Sequence, residues 1–346
     1  MSIFKSVLLS LLLAAPGLAQ NLVLVNGSVI DGTGKPRVLG NLRIRDGKIA
    51  DIGPFKPMPG ETVLDVKGMI VAPGFIDLHS LSPAGIEKDP AAAMLITQGV
   101  TTAVLGSDGT GLYSVEDFML PYDEKPPALN IAMLVGHGTV RRQIMGPDYK
   151  RPATTDEIQR MSELVSDAMK QGAFGLGSDL QQEPASYSTP DEVMALAKAA
   201  GKLGGSFVTN LRYENEKVSD AVKEVIGIVR DAKIPLQIFT SNKSALAEID
   251  KARGQRVDIA ADSYSFGQLA REKPVTVERA IQRMSAAPAS RISLRERGVL
   301  KKGVPADIVI FNPLALSGGI KYVFVNGAMV LKDGQPTDAR PGQALR

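Results

Sequence analysis

Histidine is scarce in this sequence of 346 residues, which holds only His79 and His137 and has no cysteine. Imidazole and thiolate groups are the usual ligands of zinc, and they also serve as general bases and nucleophiles. His79 follows the apolar run IVAPGFIDL (70–78), and His137 lies in GHGTVRR (136–142). The lack of cysteine excludes disulfides, thiolate nucleophiles and cysteine metal sites. A metal site would therefore need carboxylates beside at most two imidazoles.

Asp108 is a candidate cation ligand, but Asp108-Gly109 is also a dipeptide that favours turns. Both interpretations stay open from the residues alone. Thr240 and Ser241 follow an apolar run and suggest a hydroxyl nucleophile. No histidine neighbours them in sequence, so serine-hydrolase chemistry has little support.

His137 is followed closely by Arg141 and Arg142. An arginine beside a histidine can hold a substrate carboxylate through charge-assisted hydrogen bonds, which makes His137 and Arg142 candidate substrate-binding residues. The alternative is a loop that these residues stabilise through local hydrogen bonds.

Charge and composition exclude several classes of partner. The chain has 40 Lys and Arg against 37 Asp and Glu, a net charge of +3 with both signs interspersed, so neither nucleic acid nor a membrane surface is indicated. Tryptophan is absent and aromatic residues make up 5%, which disfavours a stacking platform for bases or sugars.

The N-terminus resembles a cleaved secretory signal. Residues 1–19 contain Lys5, an apolar run from Val7 to Ala15 and small residues at Gly17 and Ala19. The apolar run is too short to span a bilayer permanently. We therefore expect an exported protein, periplasmic or secreted.

Both ends of the remaining chain are rich in short strands. Apolar and polar residues alternate between Asn-Gly and Asp-Gly turns in residues 21–66, and ADIVIFNP and IKYVFVNGAMVLKDG follow the same pattern near the C-terminus. Neither half has enough strands to bury a sheet face alone. The sequence predicts one small β-sandwich domain built from residues 20–66 and 296–346.

Residues 67–295 alternate short apolar runs with segments of helical period, which predicts parallel strands joined by helices in a TIM-like barrel. Thr154 with Glu157, and Thr189 with Glu192, predict capping boxes at two helix starts. Seven strand candidates can be recognised: 70–80, 99–106, 128–136, 172–179, 205–210, 234–240 and 256–262.

An eighth strand is either hidden or missing, because the chain passes from Tyr264 almost directly into the helical pattern VTVERAIQRM (275–284). We favour a missing strand and an α/β fold with an incomplete barrel. Unpaired edges of the first and seventh strands would invite association, so a homo-oligomer is one expectation.

The order of these segments resembles the amidohydrolase superfamily, and more narrowly its D-aminoacylase branch of N-acyl-D-amino-acid deacylases. The resemblance covers almost all of the chain after the first twenty residues. It rests on motifs in the right order, among them PGFIDLH, ITQGVTTAVLGSDG, LVGHGTVRRQIMG, GAFGLGSDL, FVTNLRYENEK, IPLQIFTSNKSA and GVLKKGVPADIVIFNP.

The resemblance implies a barrel with an attached β-sandwich and zinc-assisted hydrolysis of N-acyl amino acids. In that chemistry a metal ion activates water and polarises the scissile carbonyl, while a carboxylate carries the proton to the leaving amine. The resemblance also places Lys243 and Tyr264 where the family contacts the carboxylate of its ligand. The alternative for these two is an exposed lysine and a packed tyrosine.

This chain departs from the family pattern at most metal-ligand positions. The first-strand His-x-His pair appears as His79-Ser80-Leu81, and the segment of the eighth strand with its catalytic aspartate is missing. The other departures are Asn210 for a fifth-strand histidine, Thr240 for a sixth-strand histidine, Gln181 for a frequent fourth-strand glutamate and Asp108 for a bridging cysteine. His79 and Asp108 are thus the vestigial metal candidates, with zinc bound weakly or not at all.

Three functional hypotheses follow. The first is a deacylase-like protein that has lost or impaired its catalysis, and so a pseudoenzyme. The second is a weakly active enzyme with a single metal ion, and the third is a non-catalytic binding or interaction protein.

Overall fold

The computed structural model describes residues 21–346 except 81–82, 112, 241, 263–274 and 316–318. The predicted signal peptide (1–19), Tyr264 and Ser241 lie outside the described residues. No helix within the described ranges is both long and apolar enough to cross a membrane.

The strands are β1 (Leu22–Val29), β2 (Val38–Arg45), β3 (Lys48–Gly53), β4 (Thr62–Asp65), β5 (Ile70–Pro73), β6 (Phe75–Asp77), β7 (Val100–Leu105), β8 (Asn130–Met133), β9 (Val135–Gly136), β10 (Gly175–Asp179), β11 (Ser206–Asn210), β12 (Leu236–Phe239), β13 (Ile259–Asp262), β14 (Ile308–Phe311), β15 (Ile320–Val325), β16 (Ala328–Lys332) and β17 (Gln335–Pro336). The helices are α1 (Pro83–Lys88), α2 (Ala93–Ile96), α3 (Val115–Met119), α4 (Pro121–Glu124), α5 (His137–Met145), α6 (Thr155–Lys170), α7 (Pro190–Gly201), α8 (Val218–Ala232), α9 (Lys243–Gly254), α10 (Val277–Met284) and α11 (Ala286–Arg291).

Strands from both ends of the chain form one nine-stranded sheet in the order β17-β16-β15-β14-β5-β1-β2-β3, with β4 paired to β1. The sheet curls on itself, since the Ile49 N–H donates to the Val304 carbonyl at 2.9 Å. Its apolar side chains, such as Leu42 and Phe324, fill the interior of the curl. The described strands within residues 22–73 and 308–336 thus belong to one sheet.

The predicted domain boundary after residue 66 assigns the whole of 70–80 to the barrel. In the structure this run divides at Gly74: β5 pairs with β1 and β14 in the curled sheet, whereas β6 pairs with β7. All four residues of β5 are buried. A continuous apolar run does not reveal such a change of sheet, because both halves are equally apolar.

Seven successive parallel strand runs form the middle of the molecule. β6, β7 and β8 pair in one sheet, and β9 to β13 pair in another. Only Leu134 separates β8 from β9, and its N–H donates to the Leu105 carbonyl at 2.9 Å. All seven predicted strands are present. Within the described residues β13 pairs only with β12, and β6 only with β7.

Helix α11 lies beside the first strand run. Ala289 and the adjoining Ile292 belong to the same buried cluster as Ile76 and Leu78 of the first run. Arg291 pairs with Asp258, which directly precedes β13. Segment 286–292 therefore contacts the first strand run and the residue that precedes β13.

Local sequence explains the helix starts. Thr154 accepts a hydrogen bond from the N–H of Glu157, whose side chain bonds back to the N–H of Thr154, so this capping box is confirmed. Thr189 also accepts from the N–H of Glu192. The carboxylate of Glu192 is used elsewhere, so the second capping box forms only in part.

A polar network joins the curled sheet to the amino ends of the parallel strands. We call it the floor network, and its members are Asn130, Arg297, Asp307, Asn326 and Gln343. Asp307 pairs with Arg297, accepts from Asn130 Nδ2 at 3.1 Å and accepts from the Asn326 N–H at 2.7 Å. Arg297 also donates to Gln343 Oε1 at 3.1 Å. Asn130, Arg297 and Asp307 are buried, whereas Asn326 is partly buried and Gln343 is exposed. The network thus links the sheet to the strand array through a buried ion pair with hydrogen bonds around it.

Candidate functional site

Polar side chains gather where the parallel strands end. We call this group the strand-end site; its members are Asp77, His79, Asp108, Asp179, Asn210 and Thr240. All except Thr240 are half-buried. The carboxyl ends of parallel strands meet at one edge, which is where enzymes of barrel type place their chemistry. The position is therefore the one in which a catalytic site is expected.

His79 is held by contacts within this edge. Its backbone N–H donates to Asp77 Oδ1 at 2.9 Å, and its ring stacks on Phe239 with centroids 3.9 Å apart and planes 13° from parallel. Burial lowers the pKa of His79, although the charges of Asp77, Asp108 and Asp179 act to raise it. The imidazole is therefore neutral at neutral pH, the form that a metal ligand or a general base requires.

Asp108 acts as a turn residue in the structure. Both of its carboxylate oxygens accept from Thr110 Oγ1 at 2.8 Å, and one also accepts from the Thr110 N–H at 3.0 Å. The loop presses closely on β10, since a Cβ at Gly177 would lie 2.0 Å from the Gly106 carbonyl oxygen. The turn interpretation of Asp108 thus describes its contacts, and the close backbone approach fixes where the carboxylate lies.

His137 is fully buried in a polar cluster with Ser178, Glu192 and Arg141. Its Nδ1 lies 2.9 Å from Ser178 Oγ, and its Nε2 lies 2.9 Å from Glu192 Oε1. Arg141 pairs with the other oxygen of Glu192. Burial acts to raise the pKa of Glu192, but His137 and Arg141 outweigh it, so the pKa is lowered.

The structure does not bring Arg142 to His137, the two residues predicted to hold a substrate carboxylate. Both ring nitrogens of His137 are already engaged and no part of the residue is exposed to solvent. The guanidinium of Arg142 is exposed and lies 4.7 Å over the ring of Tyr149 instead. Arg141 is the arginine that joins the histidine, because it lies four residues after His137 and therefore on the same buried face of α5.

Thr240 lies buried at the end of β12, where the resemblance places a histidine ligand. Its hydroxyl donates to Glu214 Oε2 at 3.0 Å and accepts from the Asn242 N–H at 3.1 Å. Burial raises the pKa of Glu214, while the Thr240 hydroxyl acts to lower it. Glu214 was not predicted from the sequence, because nothing in the polar stretch RYENEK distinguishes it from its neighbours.

The remaining predicted residues lie apart from these contacts or outside the described residues. Lys243 is exposed as the first residue of α9, a start that Asn242 caps by accepting from two backbone N–H groups. Gln181 donates to the Leu211 carbonyl at 2.7 Å, and so supports the loop after β11. Tyr264 belongs to the stretch that the structure does not describe.

The donor set does not fit a catalytic zinc site. Such a site uses about three protein ligands, most often imidazoles, with carboxylates and thiolates as the other choices. The chain has two histidines and no cysteine, and the buried cluster occupies both nitrogens of one of them. Across the described ranges, no three His, Cys, Asp or Glu side chains are grouped so that they could hold a metal ion.

Comparisons with known proteins identify relatives over nearly the whole chain, although no family model matches it. D-aminoacylase of Alcaligenes xylosoxydans xylosoxydans is 29% identical over 375 residues, covering 94% of this chain and 76% of the relative. N-acyl-D-glutamate deacylase of the same organism is 25% identical over 472 residues, covering 94% of this chain and 96% of the relative. Since the chain has 346 residues, this second alignment contains long gaps on its side.

Solved structures of such deacylases are also similar to this chain over nearly its whole length. The crystal structure of N-acyl-D-glutamate deacylase from Bordetella bronchiseptica superposes with a TM-score of 0.85 at 25% identity, covering 94% of this chain and 99% of that one. That structure contains zinc and a phosphonate inhibitor that mimics the tetrahedral intermediate. A D-aminoacylase structure that concerns a binuclear metal centre also has a TM-score of 0.85 at 25% identity.

Proposed function

This chain is a homologue of the D-aminoacylases and N-acyl-D-amino-acid deacylases of the amidohydrolase superfamily, and we propose that it keeps their fold while its metal-dependent hydrolysis is lost or strongly impaired. The proposed class is an amidohydrolase-like pseudoenzyme whose ligand is a small N-acyl amino acid. The first hypothesis from the sequence is retained on the strength of the side chains at the strand ends.

One observation carries the proposal: His79 is the single histidine that remains for the strand-end site. His137, the other histidine of the chain, bonds through both ring nitrogens within a buried cluster. Thr240 and Asn210 offer a hydroxyl and an amide where the resemblance expects imidazoles. Losing even an outer-shell partner of a metal typically costs ~10–100-fold in affinity or activity, and the loss of several ligands costs more.

Metal content and turnover test this proposal together. Protein purified without chelators should carry well below one zinc per chain by atomic emission, and should hydrolyse N-acetyl-D-amino acids more slowly than ~1 per second, the low end of ordinary enzymes. Stoichiometric zinc with faster turnover would overturn it. Substoichiometric zinc with slow, zinc-dependent turnover would favour the weakly active single-metal enzyme instead.

Restoring ligands provides a second test. The combined variant Leu81→His, Asn210→His and Thr240→His should gain zinc affinity without gaining turnover, because the segment that carries the catalytic aspartate of the family is missing. The matched control is Asn210→Gln with Thr240→Val, which changes the same two strand ends without adding imidazoles. Equal zinc affinity of the two variants would contradict the assignment of these positions.

Ligand-induced stabilisation separates binding from a purely structural role. If the protein binds N-acyl amino acids without hydrolysing them, its Tm should rise with their concentration, because a ligand that binds only the folded state stabilises it by mass action. An unchanged Tm at saturating concentrations would leave a structural or interaction role.

Export is also part of the proposal, and it rests on the charged start and the apolar run of residues 1–19. Mass spectrometry of the exported fraction should find a mature chain that begins near Gln20. An intact Met1 in that fraction would contradict a cleaved signal.

A further inference from the structure

A cleft on the outer side of the strand array contains side chains that the proposed function does not use. It lies between α1 and the pair α3 and α4, and its volume is about 390 Å³. No member of the strand-end site lines it. The side chains that matter here are Glu87, Tyr113, Asp117, Phe118, Tyr122 and Lys125.

Three aromatic rings form its apolar surface. Phe118 and Tyr122 meet edge to face with centroids 5.5 Å apart, and Tyr113 lines the same cleft. The whole chain has 7 Tyr, 10 Phe and no Trp, so this is a marked concentration of its aromatic residues. Elsewhere in the described part, Arg or Lys lies over the rings of Phe55, Tyr149 and Tyr213. No described cation lies over the three rings of the cleft.

A polar group in the cleft lacks a protein partner. Tyr122 is only 8% exposed, yet its hydroxyl makes no hydrogen bond with a described residue. The hydroxyl oxygen is not among the buried atoms that lack a partner, so it is open to solvent in the cleft. Burial raises the pKa of Tyr122, and the charge of Glu87, which lines the same cleft, raises it further.

The rim of the cleft carries a net negative charge. Glu87 and Asp117 contribute two carboxylates against the single ammonium of Lys125, and all three residues are exposed. Aromatic faces attract cations through the ring quadrupole, and carboxylates at the rim add attraction of the same sign. An anionic N-acyl amino acid would instead meet like charge here.

We propose that this cleft binds a small organic cation with an apolar or aromatic body, such as an arylalkylammonium ion, between the three aromatic rings and the two rim carboxylates. The ammonium group lies on the side of Glu87 and Asp117, and the body contacts Tyr113, Phe118 and Tyr122. The site is separate from the strand-end site and needs no metal ion.

Titration with phenethylammonium, followed by calorimetry or by ligand-observed NMR, tests the proposal on the full chain. We expect a dissociation constant on the order of 1 mM or tighter, which corresponds to about 4 kcal/mol of binding free energy. Phenethyl alcohol keeps the body without the charge, and phenylacetate reverses the charge. Both should bind at least ~10-fold more weakly. Equal binding of the neutral probe, or no binding of the cation at 20-fold higher concentration (~20 mM), would overturn the proposal.

Conservative variants place the binding in this cleft. Glu87→Gln and Asp117→Asn should each weaken phenethylammonium binding severalfold, because each removes one rim carboxylate, while Lys125→Gln should leave affinity equal or improve it. Glu116→Gln is the matched control, because Glu116 is exposed on α3 but does not line the cleft. Circular dichroism with an unchanged Tm would show that the variants fold. Unchanged affinity in folded Glu87→Gln and Asp117→Asn would place the cation elsewhere and overturn the assignment.

Discussion

The two ends of the parallel strands satisfy their polar groups in different ways. At the amino ends, the floor network joins side chains from distant parts of the chain, and the side chains of Arg297 and Asp307 are each 5% exposed. At the carboxyl ends, Asp77 and Asp108 bond mainly to residues two or three positions away, and both are half-buried. The contacts at the amino ends join residues far apart in sequence around a buried ion pair. The contacts at the carboxyl ends join near neighbours that are partly exposed to solvent.

The difference places stabilising contacts at one end of the strands and the position for chemistry at the other end. In barrel-type proteins the amino-end face serves stability and the carboxyl-end face carries the catalytic residues. Here the first face has a network of long-range hydrogen bonds around the Arg297–Asp307 pair, while the second has one histidine and side chains that bond to their own loops. A TM-score of 0.85 to a zinc-containing relative therefore coexists with a donor set that does not fit zinc. Fold similarity of this kind does not carry catalysis with it.

The largest loss of stability is expected from Asp307→Asn in the floor network, and this variant tests the contrast between the two strand ends. It removes the charge that Arg297 faces and leaves a buried guanidinium unpaired, which typically costs about 3–5 kcal/mol. Urea unfolding of the purified protein measures this loss. Asp123→Asn is the matched control, because Asp123 pairs with Arg346 at the surface and such pairs contribute at most about 1 kcal/mol. Similar losses in both variants would contradict a special role for the floor.

The second-largest loss of stability is expected in the buried cluster around His137. Glu192→Gln keeps the shape of the side chain but removes the charge between His137 and Arg141, and hydrogen bonds to charged groups contribute about 1.5–3 kcal/mol. We expect a loss of free energy of unfolding in that range. Glu183→Gln is the control, since Glu183 accepts from Tyr149, Lys150 and Tyr187 at the surface. A stability equal to that of the wild type would show that the cluster is not charged as inferred.

A smaller loss of stability is expected at the strand-end site. Thr240→Val removes the hydroxyl that donates to Glu214, and one such hydrogen bond contributes about 1 kcal/mol. Urea unfolding should therefore show less loss than Glu192→Gln gives. A loss as large as that of Asp307→Asn would mean that the strand-end site is also a structural element, and the contrast between the two ends would fail.

The smallest effect is a dependence of stability on pH at the start of α6. Hydrogen bonds from Arg151 and from the Thr154 N–H lower the pKa of Glu157 from 4.5 to about 2. The contribution of Glu157 is fully present above its unfolded value and is lost as pH falls from about 5 towards 2, because the unfolded chain takes up the proton first. Solvent screening keeps the effect modest. Melting curves of Glu157→Gln, which can retain the cap, should show a weaker decline of Tm over this window. The same decline of Tm with pH in Glu157→Gln and in the wild type would contradict this role of Glu157.

Much of the fold was predictable because its signals are local. The seven strand runs and the Thr154–Glu157 cap follow from periodicity and from neighbours within four residues. The partners of His137 were not predictable, since Ser178 and Glu192 lie 41 and 55 residues away. Glu192 shows the conflict directly: its spacing from Thr189 predicts a capping box, but tertiary contacts take its carboxylate. At the site, the residue types at the strand ends follow from the sequence, but the contacts that these residues make do not.

The floor network also bears on how fast the molecule assembles. Its hydrogen bonds join Asn130 to Asp307, Asn326 and Gln343 across 177, 196 and 213 residues of chain. Contacts of such sequence separation carry a large loop-closure cost before they contribute stability, and proteins rich in them fold slowly. Because one asparagine collects all three partners, the strand array and the curled sheet must both be largely formed before the floor can close. Variants of Asn130 should therefore speed unfolding far more than they slow folding, since its bonds form after the rate-limiting step.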